Sequence, residues 1–339
     1  MARQSGYRGR GPRRSTPQGS HTPIMVSEIL ETLQLKPGDA VADLTLGHGG
    51  HTEYFLVEVG PTGTVLAMDL DGSQAELTRQ RLESLKLVDG LKIELGNFAG
   101  LGQAMGKHGL ITVNGILADL GISSMQIDDP SRGFSYRREG PLDMRMDASR
   151  GESAKDILDR ISPEDLAIGL EEYGDVPLAS PFSRALLAQH HASPFETTTQ
   201  LAEFCLKWHQ GSTTGKPAGD WKLRQGKQKW ETHPAARVFQ ALRILVNREL
   251  ANLKHLLRVV PDLLAPGGTV AILSFHSGED RMVKAAFEQG LRQGRYSAIS
   301  DGPQRAGFDE RNDNPRSRSA KLRWAKLAES HPVDAGDEA

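Results

Sequence analysis

The sequence predicts an α/β fold in which a doubly wound parallel sheet carries an inserted, all-helical segment. Short apolar runs end in acids at Asp43, Asp69 and Asp119, and runs of this length suit buried parallel strands. Helical patterns alternate with these runs, as they do along a parallel sheet wound by helices. From residue 128 to about residue 230 the helical patterns continue without a convincing strand, which predicts the helical insertion.

The first predicted strand, Ala40 to Asp43, runs into a loop that contains Gly49 and Gly50. Glycine allows the backbone to approach a bound group more closely than any Cβ would permit. The loop reads G-x-G-G-H and therefore lacks the third glycine spacing of a dinucleotide fingerprint. This pattern favours a nucleoside ligand without a pyrophosphate, such as S-adenosylmethionine, over NAD.

Two further strands are predicted to complete the ligand site. The strand over 63–69 ends in Asp69, whose carboxylate can accept both ribose hydroxyls of an adenosine. The alternative for Asp69 is a cap on the helix that starts near Gly72. The strand over 91–95 leads to Phe98, whose ring can pack against an adenine or belong to the core.

The remaining elements follow in order. The strand over 115–119 ends at Asp119 and precedes a turn with Ser123 and Ser124. Helices are predicted in the insertion over 153–161, 163–173, 181–190 and 198–209. The basic segment 211–230 suits either a nucleic-acid contact or a solvated loop. The sheet pattern then resumes with one long helix over 238–264, a strand over 269–275 and a last strand between 314 and 326.

Composition narrows the class of protein. The 339 residues carry a formal net charge of −2 and contain no apolar stretch long enough to span a bilayer, so we expect a soluble protein. The single cysteine, Cys205, excludes an intrachain disulfide and is predicted to be a buried thiol in a reducing, cytoplasmic compartment. Residues 1–20 hold five arginines and no acid, which predicts a disordered tail. We find no convincing metal-ligand spacing.

Several long motifs, in one order along the chain, resemble those of the bacterial 16S rRNA cytosine-N4 methyltransferases. They include the segments 21–25, 43–51, 119–124, 128–136, 140–147, 233–244, 274–277 and 314–323. The resemblance implies a class I methyltransferase domain over 21–127 and 232–328, a helical insertion for rRNA recognition over 128–231, and a disordered acidic tail over 329–339. It also implies that S-adenosylmethionine is bound by Gly49, Gly50, His51, Asp69, Phe98, Asp119 and Gln126.

The resemblance further implies the substrate, a cytidine in the P-site region of 16S rRNA in the small ribosomal subunit, and a possible homodimer. Our hypothesis for catalysis is that Asp119, with Ser123 or Ser124 nearby, accepts the hydrogens of the cytosine N4 amine. Asp119 can equally serve cofactor binding alone, and a local turn hydrogen bond explains serines at such positions. The alternatives left open are a ribosome-assembly factor with a non-catalytic cofactor pocket and a nucleotide-dependent oxidoreductase.

Overall fold

A seven-stranded sheet forms the centre of the protein in a computed structural model, which describes residues 22–212 and 233–329. The strands lie in the order β3-β2-β1-β4-β5-β7-β6, and β7 alone runs antiparallel to its two neighbours. This order confirms the predicted doubly wound sheet. The strands are β1 Ala40–Asp43, β2 Thr64–Asp69, β3 Leu91–Leu95, β4 Val113–Asp119, β5 Leu264–Ser274, β6 Tyr296–Ile299 and β7 Lys321–Leu327.

Helices cover both faces of the sheet, and their apolar sides build its core. Helices α1 to α5 are Val26–Leu33, Gly50–Val59, Gly72–Ser84, Leu101–Lys107 and Ser124–Asp128. After the insertion come α11 Glu249–Leu263, α12 Ser277–Arg292 and α13 Phe308–Asp313. The central strands are buried on both faces, which explains why they read as continuous apolar runs.

The insertion forms a second core of its own. Its helices are α6 Ala154–Arg160, α7 Pro163–Gly174, α8 Ala179–Ala192, α9 Thr198–Ser212 and α10 Pro234–Asn247. Leu170, Leu186, Leu201 and Phe239 meet in this core. Cys205 is buried in the same cluster, as expected. Helix α10 packs with the insertion although it follows residue 232, and the predicted domain boundary at that residue stays a prediction.

The single long helix predicted over 238–264 is wrong. The chain forms two helices there, α10 and α11, because Arg248 adopts the left-handed conformation at a φ of 51°. The backbone N–H of Arg248 still caps α10, and α11 then starts in a new direction. Ala241 and Leu242 therefore pack in the insertion, whereas Leu253 and Leu256 pack against the sheet.

Other differences lie at the end of the chain and outside the described residues. Strand β6 was not predicted from the sequence. The tail 1–20, most of the basic segment 211–230 and all but one residue of the tail 329–339 fall outside the described ranges. Within those ranges, no helix combines the length and apolar character that crossing a membrane requires.

Candidate active site

A cavity of about 620 Å³ opens where the carboxyl ends of β1, β2 and β4 meet the insertion. Open α/β sheets bind their ligands at this edge, and the volume is that of an ordinary small-molecule site. The cavity lining includes six of the residues predicted to bind the cofactor: Gly50, His51, Asp69, Phe98, Asp119 and Gln126.

Asp69, at the end of β2, is held against the glycine loop. Its Oδ2 accepts the backbone N–H of Gly47 at 2.7 Å, and its Oδ1 accepts that of Asp71 at 2.9 Å. Burial raises the pKa of Asp69 to about 6 although both backbone N–H groups lower it. Asp71, not Asp69, caps α3 by accepting the N–H of Gln74. The capping alternative for Asp69 is therefore wrong.

The glycines of the loop were expected to let a bound group approach the backbone, but packing within the protein also accounts for two of them. Gly47 lines the cavity at a φ of 48°. Gly49 lies outside the lining, has a φ of 74°, and a Cβ there would stand 2.6 Å from the Thr78 side chain. A Cβ on Gly50 would stand 2.9 Å from Pro23. At 49 glycine thus permits close packing within the protein, and at 50 it permits close packing beside the cavity that Gly50 lines.

Asp119, at the end of β4, presents an unsatisfied acceptor. Its Oδ1 is buried and has no hydrogen-bond partner among the described residues. Burial raises the pKa of Asp119 to about 6; the nearby His51 lowers it, and Asp43 and Glu279 add to the rise. The backbone N–H of Asp119 is fixed by the Thr45 hydroxyl at 2.8 Å. A buried acceptor that lacks a donor is costly, so this oxygen is suited to a ligand.

Asp43 ends the neighbouring strand but does not face the cavity. It accepts the Thr52 hydroxyl at 2.6 Å and the Thr45 backbone N–H at 3.1 Å, and it is fully buried. Of the three acids at the strand ends, Asp69 and Asp119 line the cavity and Asp43 does not. Asp43 instead ties the start of α2 to the loop.

Phe98 and His51 both line the cavity. Phe98 begins a short 3-10 turn and is half-buried, with part of its ring against the sheet core. His51, in the first turn of α2, is buried with its Nε2 2.9 Å from the carbonyl oxygen of Ile24. Because a carbonyl only accepts, Nε2 carries the proton. This bond fastens the segment before α1 over the cavity.

The predicted serines stand at the start of α5. The Ser123 hydroxyl accepts the Gln126 backbone N–H at 3.2 Å, while the Gln126 side chain accepts the Ser123 N–H at 3.1 Å. This capping box occupies the Ser123 oxygen. The Gln126 amide also reaches Asp71 at 3.4 Å. The side chain of Ser124 lies outside what the structure describes, and the catalytic role of both serines stays a prediction.

An ion pair links the insertion to this loop. Arg132 pairs with Asp71 through Nη1. Its Nη2 donates to the carbonyls of Arg145 and Met146 at 3.0 and 2.7 Å. Burial raises the pKa of Asp71, but its hydrogen bonds, foremost that from Arg132, lower it further. The insertion is therefore anchored to the residue that caps α3.

The wall formed by α10, α11 and the start of α12, the far wall of the cavity, contains charged residues that were not predicted from the sequence. Arg243 and Glu249, on either side of the break at Arg248, form a two-pronged pair at 2.7 and 3.0 Å. Glu279, in the first turn of α12, lines the same wall. The sequence signal for this wall was Arg243, a charged residue that directly follows the apolar Leu242 in a predicted helix.

A model of the MraW methylase family matches residues 18–328. The chain is 42% identical over 313 residues to ribosomal RNA small subunit methyltransferase H 1 of Lachnoclostridium phytofermentans, covering 92% of this chain and 82% of the relative. It is 43% identical over 317 residues to methyltransferase H 2 of Alkaliphilus metalliredigens, covering 92% and 86%. For methyltransferase H of Deinococcus radiodurans the values are 40% over 314 residues, 93% and 92%.

The chain belongs to the MraW methylase family. This membership confirms the class I methyltransferase fold and the predicted cofactor of this methylase, S-adenosylmethionine. The cavity fits that group, since a sulfonium is a cation and Asp119 holds a buried, unpartnered carboxylate oxygen. Which of the predicted residues contact the cofactor stays a prediction, and for Gly49 the lining argues against direct contact.

Proposed function

We propose that this methylase transfers a methyl group from S-adenosylmethionine to the exocyclic N4 amine of one cytidine in the P-site region of 16S rRNA. The relatives above are named as methyltransferases of the small-subunit ribosomal RNA, which supports the choice of RNA. The observation that carries the proposal is the buried Oδ1 of Asp119, an acceptor without a donor at the cavity. An amine presents the hydrogens that such an acceptor needs.

The state of Cys205 supports a nitrogen target over a ring carbon. Methylation of the pyrimidine C5 position requires a thiolate that adds to the ring. Cys205 is buried in the core of the insertion, and burial raises the pKa of its thiol to about 12. It is the single cysteine of the chain. A thiol so placed stays protonated and remote from the cavity, which leaves the amine as the better nucleophile.

In the proposed reaction the bound donor supplies a methyl group already activated on a sulfonium, so the protein mainly positions the nucleophile. N4 would form the new bond to the methyl carbon as the sulfur–carbon bond breaks, and the donor would leave as the neutral thioether S-adenosylhomocysteine. The proton that N4 gives up would pass to Asp119 Oδ1. Asp119 Oδ1 orients the amine by accepting one of its hydrogens. Asp69 holds the ribose end. Removing the Asp119 acceptor should cost about 10²–10³ in rate.

The experiment is to incubate small subunits that lack the modification with S-adenosylmethionine carrying a labelled methyl group, and to map the label by mass spectrometry of the digested rRNA. We expect one labelled cytidine whose added mass lies on the exocyclic nitrogen. Label on a ring carbon would refute the chemistry. Unlabelled RNA after stable subunit binding would favour the assembly-factor alternative. The predicted homodimer and cytoplasmic location stay predictions.

A further inference from the structure

Three charged side chains, Arg243, Glu249 and Glu279, lie on the far wall of the cavity, and none of them was assigned to cofactor binding. Arg243 exposes 16% of its side chain and Glu249 10%, and Glu279 is 2% exposed. Charged side chains are buried in this way only when they are paired. Because all three also line the cavity, the question is which of them keeps hydrogen-bonding capacity for a ligand.

Both carboxylates of this wall accept hydrogen bonds from the protein. Each oxygen of Glu249 accepts a hydrogen bond from an N–H group of Arg243. Glu279 accepts the backbone N–H groups of Phe275 and His276 at 2.9 and 3.3 Å through one oxygen. Its other oxygen lies 3.1 Å from Nε2 of His276. His276 Nδ1 accepts the backbone N–H of Gly278, so Nε2 is the protonated nitrogen facing Glu279.

Arg243 is different, because its pairing with Glu249 uses only Nε and Nη2. Among the described residues, Nη1 of Arg243 has no acceptor. A guanidinium carries five N–H donors, so this nitrogen retains two hydrogens for a further acceptor. The fork with Glu249 fixes the guanidinium plane and therefore the direction in which these hydrogens can point.

Asp119 and Arg243 line the same cavity as Glu279, and the charge of Glu279 interacts with both. The charge of Glu279 contributes to the raised pKa of Asp119. The charge of Arg243 contributes, after His276 and the backbone, to holding the pKa of Glu279 low against its burial. Glu279 thus lines one cavity with an unsatisfied acceptor and an unsatisfied donor and interacts electrostatically with both residues.

We propose that Arg243 is a specificity-determining residue that reads the N3 position of the target base. This rests on the proposed function, in which Asp119 accepts a hydrogen from the N4 amine. In cytosine the neighbour of that amine is N3, a bare acceptor that suits Nη1 of Arg243. In uracil the same two positions are a carbonyl oxygen and an N–H, which would face a carboxylate and a guanidinium respectively. The pair of residues accepts an aminopyrimidine and rejects uracil at both positions.

The test compares small subunits that carry either cytidine or uridine at the mapped position. Their affinity for the full-length protein, saturated with S-adenosylhomocysteine, is measured by filter binding, so that no methyl transfer is needed for the readout. We expect the wild-type protein to bind the cytidine subunits about tenfold or more tightly. Arg243→Lys, which keeps the charge beside Glu249, should lose most of this preference.

Arg237→Lys is the matched control, since Arg237 lies on the same helix, donates to the Asp175 carbonyl and does not line the cavity. It should keep the full preference. The S-adenosylhomocysteine affinity of both variants should equal that of the wild type. The unfolding midpoint of Arg237→Lys should also be unchanged, whereas that of Arg243→Lys should fall because a lysine cannot form the two-pronged pair with Glu249. The proposal is overturned if the wild type shows no preference, if Arg243→Lys retains it, or if Arg243→Lys loses cofactor affinity as well. Failure of the proposed function is a separate outcome, because it appears in the labelling experiment as RNA without a modified cytidine amine.

Discussion

Replacing Asp119 by asparagine should stabilise the free protein while it weakens donor binding. Burial raises the pKa of Asp119 from 3.8 to about 6, a difference that corresponds to about 3 kcal/mol. The unfolded chain loses this proton near pH 4 and the folded protein only near pH 6, so stability falls between these values and stays lower above them. Asp119→Asn keeps the shape and removes the charge. Its free energy of unfolding at neutral pH should therefore rise, by at most about 3 kcal/mol.

The same substitution removes a negative charge from the cavity lining, where it would attract the sulfonium of a bound donor. A hydrogen bond or close contact that involves a charged group is worth about 1.5–3 kcal/mol, which corresponds to a roughly 10- to 150-fold loss of S-adenosylmethionine affinity. S-adenosylhomocysteine has a neutral sulfur and should lose less. Calorimetric titration with both ligands measures the difference, and urea unfolding of the ligand-free protein measures the stability.

Asp89→Asn provides the control, because Asp89 is exposed and lies outside the cavity lining. It should change neither the stability nor the two affinities. If Asp119→Asn proved less stable than the wild type and weakened both ligands equally, Asp119 would be a structural acceptor. That pair of results would refute the reasoning from its buried, unpartnered oxygen.

Three further predictions concern the site and its anchoring. The affinity for S-adenosylmethionine should fall by roughly tenfold per pH unit below about pH 6 for each carboxylate that becomes protonated. The pKa of Asp69, like that of Asp119, is raised to about 6. A dissociation constant that does not change with pH would contradict this prediction. If RNA is the substrate, Arg316→Ala at the cavity rim should lower the salt slope of RNA binding by about 1, whereas Arg292→Ala, outside the lining, should leave it unchanged in filter binding across a salt series. Arg132→Gln should cost about 3–5 kcal/mol in urea unfolding, since it leaves Asp71 charged and unpaired. Adding Asp71→Asn should recover most of that loss, and no recovery would show that the pair is not the cause.

The part of the site at the strand ends, with Asp69 and Asp119, was predictable because its sequence signals are local. A buried strand that ends in an acid is visible in the residues themselves, and the parallel arrangement then brings Asp69 and Asp119 to one edge. The direction of each carboxylate was not visible. Asp43 ends a strand of the same kind but turns to Thr52, and only the packing of α2 decides this. The need for glycine at 49 likewise depends on Thr78, a residue distant in sequence.

The far wall could not be predicted because the break that creates it has no signal in the sequence. Glycine and proline are the residues that usually mark such a break, and neither occurs between Asn247 and Glu249. The apolar pattern of α10 also continues in phase into α11, which is why one helix was predicted. Without the break, Arg243 and Glu249 would lie six residues apart on different sides of one continuous helix, because side chains on a helix meet at spacings of three or four residues.

The conformation of Arg248 is what joins the two halves of the cavity. A left-handed, non-glycine residue costs roughly 1–2 kcal/mol, and such strain persists only where its surroundings hold it. Here Asn247 accepts the Met146 backbone N–H at 2.7 Å and donates to the Met144 carbonyl at 2.8 Å, so the residue before the break is tied to the insertion. Glu249, directly after it, is tied to Arg243. The strained residue thus lets Arg243 and Glu249 form their pair at the cavity that Asp69 and Asp119 also line.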